Sequence, residues 1–253
     1  MTDLSGKHAL ITGGGTGIGW ACAQAMAQAG ARVTITGRRL AVLEAVASAQ
    51  AGVSALAMDV SDEASVRQGF AQALRAQGPV DILVANAGIA ETAPMVKTSW
   101  ALWRRVLATN LDGAFLCGRE ALPGMQARGW GRIITIASVA GLRGAKYTAA
   151  YAASKHGLVG LTRVMAEESL GTGVTANALC PGFVRTPIVE RSVQAIAERS
   201  RISAAEAQAA LAGANRHQRL IEPEEVAAMA LYLCSPLAAS INGQAIDISG
   251  GQA

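Results

Sequence analysis

Tyr151 and Lys155 have the side chains and the spacing that proton transfer requires, in the segment YAASK at residues 151–155. Positions four apart share a helix face, so the ammonium group of Lys155 can approach the phenol of Tyr151. A tyrosine normally titrates near pH ~10, and a neighbouring cation lowers that pKa by stabilising the phenolate. Ser138 ends a short apolar run, where its hydroxyl can hold a carbonyl or alcohol oxygen beside Tyr151. Because YxxxK alone is a common accident, the pair needs support from the rest of the chain.

A glycine-rich segment, TGGGTGIG at residues 12–19, supplies that support. It follows the first apolar run and opens a helical stretch, with glycines at the GxxxGxG positions rather than in a GxGxxG frame. Small residues let the backbone approach a pyrophosphate, and a helix N-terminus offers free N–H groups and a partial positive charge. We therefore predict a dinucleotide site here; a simple glycine-rich turn is the alternative.

The end of the second apolar run indicates which dinucleotide binds. NAD is usually held by a carboxylate about 20 residues beyond the glycine loop, but no Asp or Glu lies between Asp3 and Glu44. Gly37 takes the acidic position, and Arg38 and Arg39 follow it. A guanidinium pairs well with a 2′-phosphate. We therefore predict NADP(H) over NAD(H), with two exposed arginines at a helix start as the alternative.

The elements that must position these groups alternate between apolar runs and helical stretches. The runs expected as buried strands are residues 8–12, 32–36, 53–58, 81–85, 132–137, 175–179 and 245–248. The stretches with helical periodicity are residues 18–29, 41–50, 62–77, 100–128, 149–171 and 223–234. Such alternation predicts an α/β fold, a doubly wound parallel sheet of about seven strands with helices on both faces. No linker or repeat divides the chain, so residues 1–253 are expected to form a single catalytic domain.

One stretch breaks this rhythm, because no strand is expected between Thr186 and Ile221. Two short helices are expected there, and the capping-box pattern Ser203-Ala-Ala-Glu206 would start the second. A helical excursion before the last βα unit is usually a binding segment. We therefore predict a substrate lid over residues 187–220; decorative packing is the alternative.

Composition restricts the possible partners. The formal charge of +4 is not concentrated in a run, and aromatic residues make up only 4% of the chain, which argues against nucleic-acid binding. The four cysteines and three histidines show no metal-ligand spacing, so no metal site is predicted. No signal peptide and no apolar run of about 18 residues is evident, so we expect a cytoplasmic protein that binds no membrane.

The chain resembles the short-chain dehydrogenase/reductase superfamily over essentially its whole length. The resemblance rests on the glycine loop, Ser138 and YAASK, together with other motifs in the expected order: Asp59-Val60, Asn86-Ala87-Gly88, Asn110 and Pro181-Gly182. It implies a Rossmann-like fold. It also implies a homotetramer, or a dimer, built on residues 100–128 and 149–171, with the tail at residues 250–253 near another interface.

The resemblance further implies a role for each matching residue. Tyr151 acts as general acid in reduction and general base in oxidation, Lys155 lowers its pKa and binds the nicotinamide ribose, and Ser138 orients the substrate oxygen. Asn110, the fourth catalytic residue, helps hold a water that relays protons toward Lys155. The predicted cofactor-binding residues are Gly13, Thr16, Gly17, Ile18, Gly19, Arg38, Arg39, Asp59, Val60, Asn86, Gly88, Tyr151, Lys155, Pro181, Gly182, Val184 and Thr186.

Simpler interpretations stay open for three of these residues. Asp59 can be a turn residue, Asn110 a buried side chain that satisfies a backbone group, and Thr186 a helix cap. The lid arginines can meet the phosphates of a coenzyme A or carrier-protein thioester, or form solvated helix faces; they are Arg191, Arg199, Arg201, Arg216 and Arg219.

The predicted function is an NADP(H)-dependent oxidoreductase that interconverts a ketone and a secondary alcohol. The chain resembles family members that reduce 3-oxoacyl thioesters or interconvert 3-hydroxy acids and 3-oxo acids, so the small-molecule substrate is expected among these. One alternative is an NAD-dependent dehydrogenase of a 3-hydroxy acid or another secondary alcohol. A remoter alternative is a non-catalytic dinucleotide-binding regulator.

Overall fold

Seven parallel strands form one sheet in the order β3-β2-β1-β4-β5-β6-β7 in the computed structural model, which describes residues 2–251. The tail expected at an interface, residues 250–253, ends outside the described residues. The strands are β1 His8–Thr12, β2 Arg32–Gly37, β3 Val53–Ala57, β4 Ile82–Ala85, β5 Gly131–Ile136, β6 Val174–Pro181 and β7 Ala245–Ile248. The prediction of about seven strands in a parallel sheet is confirmed.

The central strands are buried on both faces, which explains why they read as unbroken apolar runs. Alternate side chains serve opposite layers: in β1, Ala9 and Ile11 join one core cluster and Leu10 joins another. The strand order reverses between β1 and β4, so the chain leaves these two neighbours in opposite directions. Ligands of open α/β sheets bind at this kind of switch point, outside the carboxyl ends of the strands.

Nine α-helices of the described chain connect and cover the strands. They are α1 Gly17–Gln28, α2 Leu40–Ala47, α3 Glu63–Gln77, α4 Trp100–Leu107, α5 Gly113–Ala127, α6 Ala149–Glu167, α7 Pro187–Ser200, α8 Ala204–Ala214 and α9 Pro223–Leu233. One core cluster combines the sheet with α1 and α9, and a second combines it with α3, α5 and α6. Helices therefore lie on both faces of the sheet, as predicted.

The stretch 100–128 is not the continuous helix that its periodicity predicts. A π-helical turn, Ala108–Asp112, separates α4 from α5. The wider turn brings Asn110 into the interior, where its side chain is bonded to groups outside the helix. Such π-turns often mark functional sites, because they insert a residue that the regular helix would direct elsewhere.

The excursion before the last βα unit consists of α7 and α8, as the sequence predicts. The capping box is present: Ser203 Oγ accepts a hydrogen bond from Glu206 N at 3.2 Å, and the Glu206 carboxylate accepts one from Ser203 N at 2.8 Å. The two helices share a small core of their own, formed by Val189, Val193, Ala207, Leu211 and Leu220. This separate core makes the pair a distinct packing unit beside the carboxyl end of the sheet.

Within residues 2–251, no helix has both the length and the apolar composition that crossing a membrane requires.

Candidate active site

The glycine loop is tied to the end of β4 by Thr12 and Asn86. Thr12 Oγ1 accepts hydrogen bonds from the backbone N–H groups of Asn86 at 3.0 Å and Ala87 at 2.9 Å. Asn86 Nδ2 donates to the carbonyl oxygens of Thr12 at 2.9 Å and Gly13 at 3.1 Å. The two strands that flank the switch point therefore hold the loop between them, and Asn86 acts on it from behind.

The backbone shape of the loop depends on glycine, because three of its glycine positions leave no room for a side chain or have a φ angle that L residues rarely adopt. Gly13 and Gly17 have φ angles of +64° and +53°, which L residues rarely adopt. A Cβ at Gly19 would lie 2.5 Å from both Asn86 Nδ2 and the Gly13 carbonyl oxygen, and one at Gly17 would lie 2.8 Å from Thr186 Cγ2. Thr16 caps α1 by position, but its side chain makes no capping hydrogen bond, so the first N–H groups of α1 remain free for an anion. These features fit a pyrophosphate.

A cleft of about 490 Å³ extends from this loop along the ends of β2 and β3. Of the predicted cofactor residues, it brings together Gly13, Thr16, Arg38, Arg39, Asp59, Val60 and Gly88. Ile18 instead packs against the core beneath the loop. Asp59 is the one carboxylate among the described lining residues. Among these described residues the arginines outnumber the carboxylates, and this excess of positive charge fits a phosphorylated dinucleotide.

Asp59 forms a turn as well as lining the cleft. Its Oδ1 accepts hydrogen bonds from Ser61 N at 2.9 Å and Ser61 Oγ at 2.7 Å. Partial burial raises the pKa of Asp59, but the bonds from Ser61 and the charge of Arg38 outweigh burial and leave that pKa below its usual value. The turn interpretation therefore holds, and it does not exclude a contact with the cofactor, which stays a prediction.

Tyr151 and Lys155 lie near the start of α6, with Lys155 Nζ 5.8 Å from the centroid of the Tyr151 ring. Lys155 Nζ donates to the Ile136 carbonyl oxygen at 2.7 Å, and burial lowers its pKa to about 8. Burial raises the pKa of Tyr151, and a side-chain hydrogen bond with Ser138 opposes that rise. The net direction for Tyr151 is thus opposite to the one expected from a neighbouring ammonium, because desolvation of the phenolate dominates.

Ser138 is placed by the end of β5. It is buried, and its Oγ accepts a hydrogen bond from Ala140 N at 3.1 Å, which opens the short 3₁₀ turn Val139–Gly141. The hydroxyl is therefore held in position beside Tyr151, with which it also forms the side-chain hydrogen bond that opposes the rise in the Tyr151 pKa.

Asn110 joins the loop after β4 to α6. Its Oδ1 accepts from Ile89 N at 2.8 Å, and its Nδ2 donates to Ile89 O at 3.0 Å and to Ser154 Oγ at 3.0 Å. Ser154 Oγ in turn donates to the Tyr151 carbonyl oxygen at 2.7 Å. Both amide protons are used, so the interpretation of Asn110 as a buried side chain satisfying backbone groups holds, and the water relay stays a prediction. Sequence reasoning missed Ser154, although it lies within YAASK.

Gly88 lies where the cleft meets the proton-transfer groups. A Cβ there would lie 3.2 Å from Asn110 Oδ1 and 3.7 Å from Lys155 Nζ. Since Gly88 also lines the cleft, the cleft ends beside the Tyr151–Lys155 pair. A dinucleotide in the cleft would thus reach the proton-transfer groups.

The segment after β6 closes the opposite side. Thr186 is the N-cap residue of α7 by position, but its side chain makes no capping bond; Thr186 Oγ1 donates instead to the Val184 carbonyl oxygen at 3.2 Å. Pro181 ends β6, and Gly182 is packed tightly against Asn215.

Asn215 is a second residue that sequence reasoning missed. Its Oδ1 accepts from Phe183 N at 2.9 Å, and its Nδ2 donates to the carbonyl oxygens of Phe183 at 3.0 Å and Arg219 at 2.7 Å. This buried amide connects the end of α8 to the segment after β6. An asparagine just beyond a predicted helix was the only signal in the sequence.

Comparisons with known proteins agree with this architecture. The family model described as "Enoyl-(Acyl carrier protein) reductase" matches residues 13–253. D-beta-hydroxybutyrate dehydrogenase of Cupriavidus necator is 39% identical over 253 residues, covering 98% of each chain. The 3-oxoacyl-(acyl-carrier-protein) reductase FabG of Aquifex aeolicus is 37% identical over 254 residues, again covering 98% of each chain. A crystal structure of an actinorhodin polyketide ketoreductase variant with NADPH superposes with a TM-score of 0.93 at 34% identity, covering 100% of this chain and 99% of the other.

The fold and the site define a nicotinamide-dependent oxidoreductase with a Rossmann-like sheet. The chain belongs to the short-chain dehydrogenase/reductase superfamily and resembles its 3-oxoacyl reductases, as the sequence motifs indicated. It is an NAD(P)-dependent enzyme that interconverts ketones and alcohols.

Proposed function

We propose that the protein is an NADPH-dependent reductase of a 3-oxoacyl thioester or a related ketone, with residues 187–220 as its substrate lid. The observation that carries this proposal is the meeting of two features. The hydrogen-bonded Ser138 and Tyr151 stand beside Lys155, where a cleft lined by three arginines ends.

The preference for NADPH is supported by the end of β2. Gly37, Arg38 and Arg39 line the cleft where a carboxylate would hold the ribose of NAD. Both guanidinium groups are exposed, and neither forms an ion pair within residues 2–251. A 2′-phosphate would supply the missing partner for Arg38. Some relatives in the family use NAD, so the preference for NADPH over NADH needs a direct test.

In the proposed reaction, the substrate oxygen lies between Ser138 and Tyr151. Bound NADPH supplies the hydride. Ser138 donates a hydrogen bond that orients the carbonyl oxygen, and Tyr151 transfers its phenolic proton to that oxygen. A phenol normally titrates near pH ~10, and burial raises the pKa of Tyr151 further, so Tyr151 carries the proton that the reduction requires. Lys155 stabilises the phenolate that remains, since an ammonium favours the charged form.

The substrate class is supported by names of relatives. A 3-oxoacyl-(acyl-carrier-protein) reductase is named for a ketone on an acyl chain, and a polyketide ketoreductase is named for the reduction of a ketone. The 39% identical D-beta-hydroxybutyrate dehydrogenase favours a second candidate, oxidation of a 3-hydroxy acid. Arg38 at the end of β2 argues against that candidate if the dehydrogenase reaction requires NAD. The complete set of proton-transfer groups argues against a non-catalytic regulator.

The reaction is tested by Tyr151→Phe, with NADPH oxidation followed across acyl-CoA 3-ketones, simple ketones and cyclic ketones. The variant should lose most of its turnover, a fall of about 10²–10⁴-fold for a lost acid, while its NADPH affinity stays near wild type. Tyr232→Phe is the matched control, because Tyr232 lies on α9 and is exposed. Retained turnover in Tyr151→Phe would refute the proton-transfer role, and no turnover by the wild type on any ketone or alcohol would favour the regulator.

The cofactor is tested by Arg38→Asp, with NADPH and NADH titrated separately. Loss of a charge-assisted pair and gain of a like charge should weaken NADPH binding about 100-fold or more, while NADH binding changes little or improves. Equal losses for both cofactors would overturn the 2′-phosphate assignment. NADH serves as the internal control for folding of the variant.

The proposal includes a homotetramer in the cytoplasm. Phe115 on α5 and Val164 on α6 are about half exposed, at 46% and 51%. Such apolar side chains on neighbouring long helices suit a face buried by a second copy. The buried thiols Cys22, Cys117, Cys180 and Cys234 suit a reducing compartment. Light scattering tests the assembly, and a clean monomer would refute it; cell fractionation tests the location.

A further inference from the structure

The geometry points to Arg191, on the first turns of α7, as a ligand of the dinucleotide pyrophosphate that fastens the α7–α8 unit to the bound cofactor. This inference rests on the proposed dinucleotide binding. It assigns a phosphate contact to a segment whose expected role is with the substrate.

Arg191 comes from a part of the chain that contributes no other described residue to the cleft. Among the described residues that line the cleft, every one except Arg191 comes from positions 13–109, on the loops after β1, β2, β3 and β4 and the elements beside them. Arg191 is the single contribution of α7 and α8. Its side chain therefore brings a third guanidinium, from the α7–α8 unit, to a cleft that Arg38 and Arg39 also line.

The helical geometry of α7 explains why Arg191 faces the cleft. Val189 and Val193 are buried in the small core that α7 shares with α8. At 3.6 residues per turn, the residue midway between two such positions points to the opposite face of the helix. Arg191 is that residue. Burial of the two valines thus fixes the face that presents the guanidinium to the cleft.

The start of α7 favours the pyrophosphate over the 2′-phosphate as the partner. Thr186, which precedes α7, lies so close to the glycine loop that a Cβ at Gly17 would be 2.8 Å from Thr186 Cγ2. Gly17 begins α1, whose free N–H groups suit the pyrophosphate. The 2′-phosphate belongs at the end of β2, where Arg38 is available. Each of the two anionic groups of NADPH thus has its own arginine.

Arg191 is also free to bind an anion. Within residues 2–251 it forms no ion pair, whereas Arg185 is paired with Glu222 at 3.1 Å and Arg219 with Glu225 at 2.8 Å. An exposed arginine without a carboxylate gives up little when a phosphate approaches. Arg199, at the other end of α7, is exposed too but does not line the cleft, which makes it a matched control.

The test is calorimetric titration of the full-length wild type, Arg191→Gln and Arg199→Gln with NADPH and with NADH. Both dinucleotides carry the pyrophosphate, so Arg191→Gln should weaken each by about tenfold, which corresponds to about 1.4 kcal/mol. The Arg191→Gln loss should shrink at high salt, because an exposed charge pair is screened. Arg199→Gln should bind both like wild type.

Two fragments separate the phosphate groups. ADP carries the pyrophosphate alone and should lose affinity in Arg191→Gln, whereas adenosine 2′-monophosphate lacks it and should bind unchanged. Hydrogen–deuterium exchange adds a readout independent of affinity: saturating NADPH should slow exchange in α7 of the wild type, and less so in Arg191→Gln.

Unchanged binding of both dinucleotides to Arg191→Gln would overturn the inference while leaving the proposed function intact. A loss confined to NADPH would also overturn it, since Arg191 would then serve the 2′-phosphate. Losses of equal size in Arg199→Gln would show that the weaker binding comes from the lower net charge and not from a contact of Arg191 with the pyrophosphate, and would refute the inference. If the wild type binds neither dinucleotide, the proposed function itself fails.

Discussion

Gly19→Ala is predicted to damage both the stability of the fold and the cofactor cradle. A methyl group at position 19 would lie 2.5 Å from Asn86 Nδ2 and 2.5 Å from the Gly13 carbonyl oxygen, where ordinary contacts begin at 3.4 Å. The Gly13 oxygen is backbone and cannot rotate away. Asn86 must therefore shift, and it loses hydrogen bonds of 2.9 Å to Thr12 and 3.1 Å to Gly13.

The cost combines two terms. Two neutral hydrogen bonds contribute about 0.5–1.5 kcal/mol each, and overpacking a buried site costs about 1–3 kcal/mol. We expect the free energy of unfolding to fall by about 2–6 kcal/mol in total. For a chain of this size the melting temperature should drop by about 4–24 °C. The NADPH dissociation constant should rise, because the displaced loop no longer presents its N–H groups in register.

Thermal denaturation and NADPH titration measure the two effects. Gly213→Ala is the control: Gly213 lies in α8, and a Cβ there meets nothing within 4 Å. That variant should melt like the wild type or slightly higher, because alanine favours helix. If Gly19→Ala melts within about 2 °C of the wild type and binds NADPH equally well, the steric reasoning about the loop is wrong.

Two other predictions concern the network around Tyr151. Asn110→Ala removes three hydrogen bonds and leaves the N–H of the half-buried Ile89 without its partner, so urea denaturation should show a loss of about 2–4 kcal/mol. Asn110→Asp keeps the acceptor, so its stability should fall between that of Asn110→Ala and the wild type. Wild-type stability in both variants would contradict the network. Lys155 has its pKa lowered from 10.5 to about 8, so between those pH values the unfolded chain binds more protons and stability should rise with pH, by up to about 3 kcal/mol. The rise should appear as a difference between wild type and Lys155→Met, and its absence would show that Lys155 is not desolvated.

The sequence predicted the sheet well because a parallel sheet leaves a strong local signal. Strands buried on both faces read as short apolar runs, and the predicted positions of β1 and β7 agree with the structure to the residue. The π-turn at Ala108–Asp112 left no such signal. Its cause is tertiary, because Asn110 is directed inward by partners on the loop after β4 and on α6, and helical periodicity cannot report such partners.

In the candidate site, too, residues with a local sequence signal were predicted and residues that depend on tertiary contacts were not. Motif residues such as Ser138 and Tyr151 were predictable because their types and order along the chain are distinctive. Asn215 was not, because its value lies in three bonds to backbone groups that are brought to it by folding. Arg191 was visible only as one of several lid arginines, and the structure singles it out by its position at the cleft.

Burial acts on Tyr151 and Lys155 in opposite chemical senses with a common result. It raises the pKa of the phenol and lowers that of the amine to about 8, so both groups are driven toward their uncharged forms. Reduction starts from a protonated phenol, which this environment favours. Oxidation must start from a phenolate, which it opposes, and the ammonium that would stabilise the phenolate is itself lost as the pH rises through about 8. A raised pKa also makes the phenol a weaker acid, so in reduction too the transfer of its proton depends on stabilisation of the phenolate by the Lys155 ammonium.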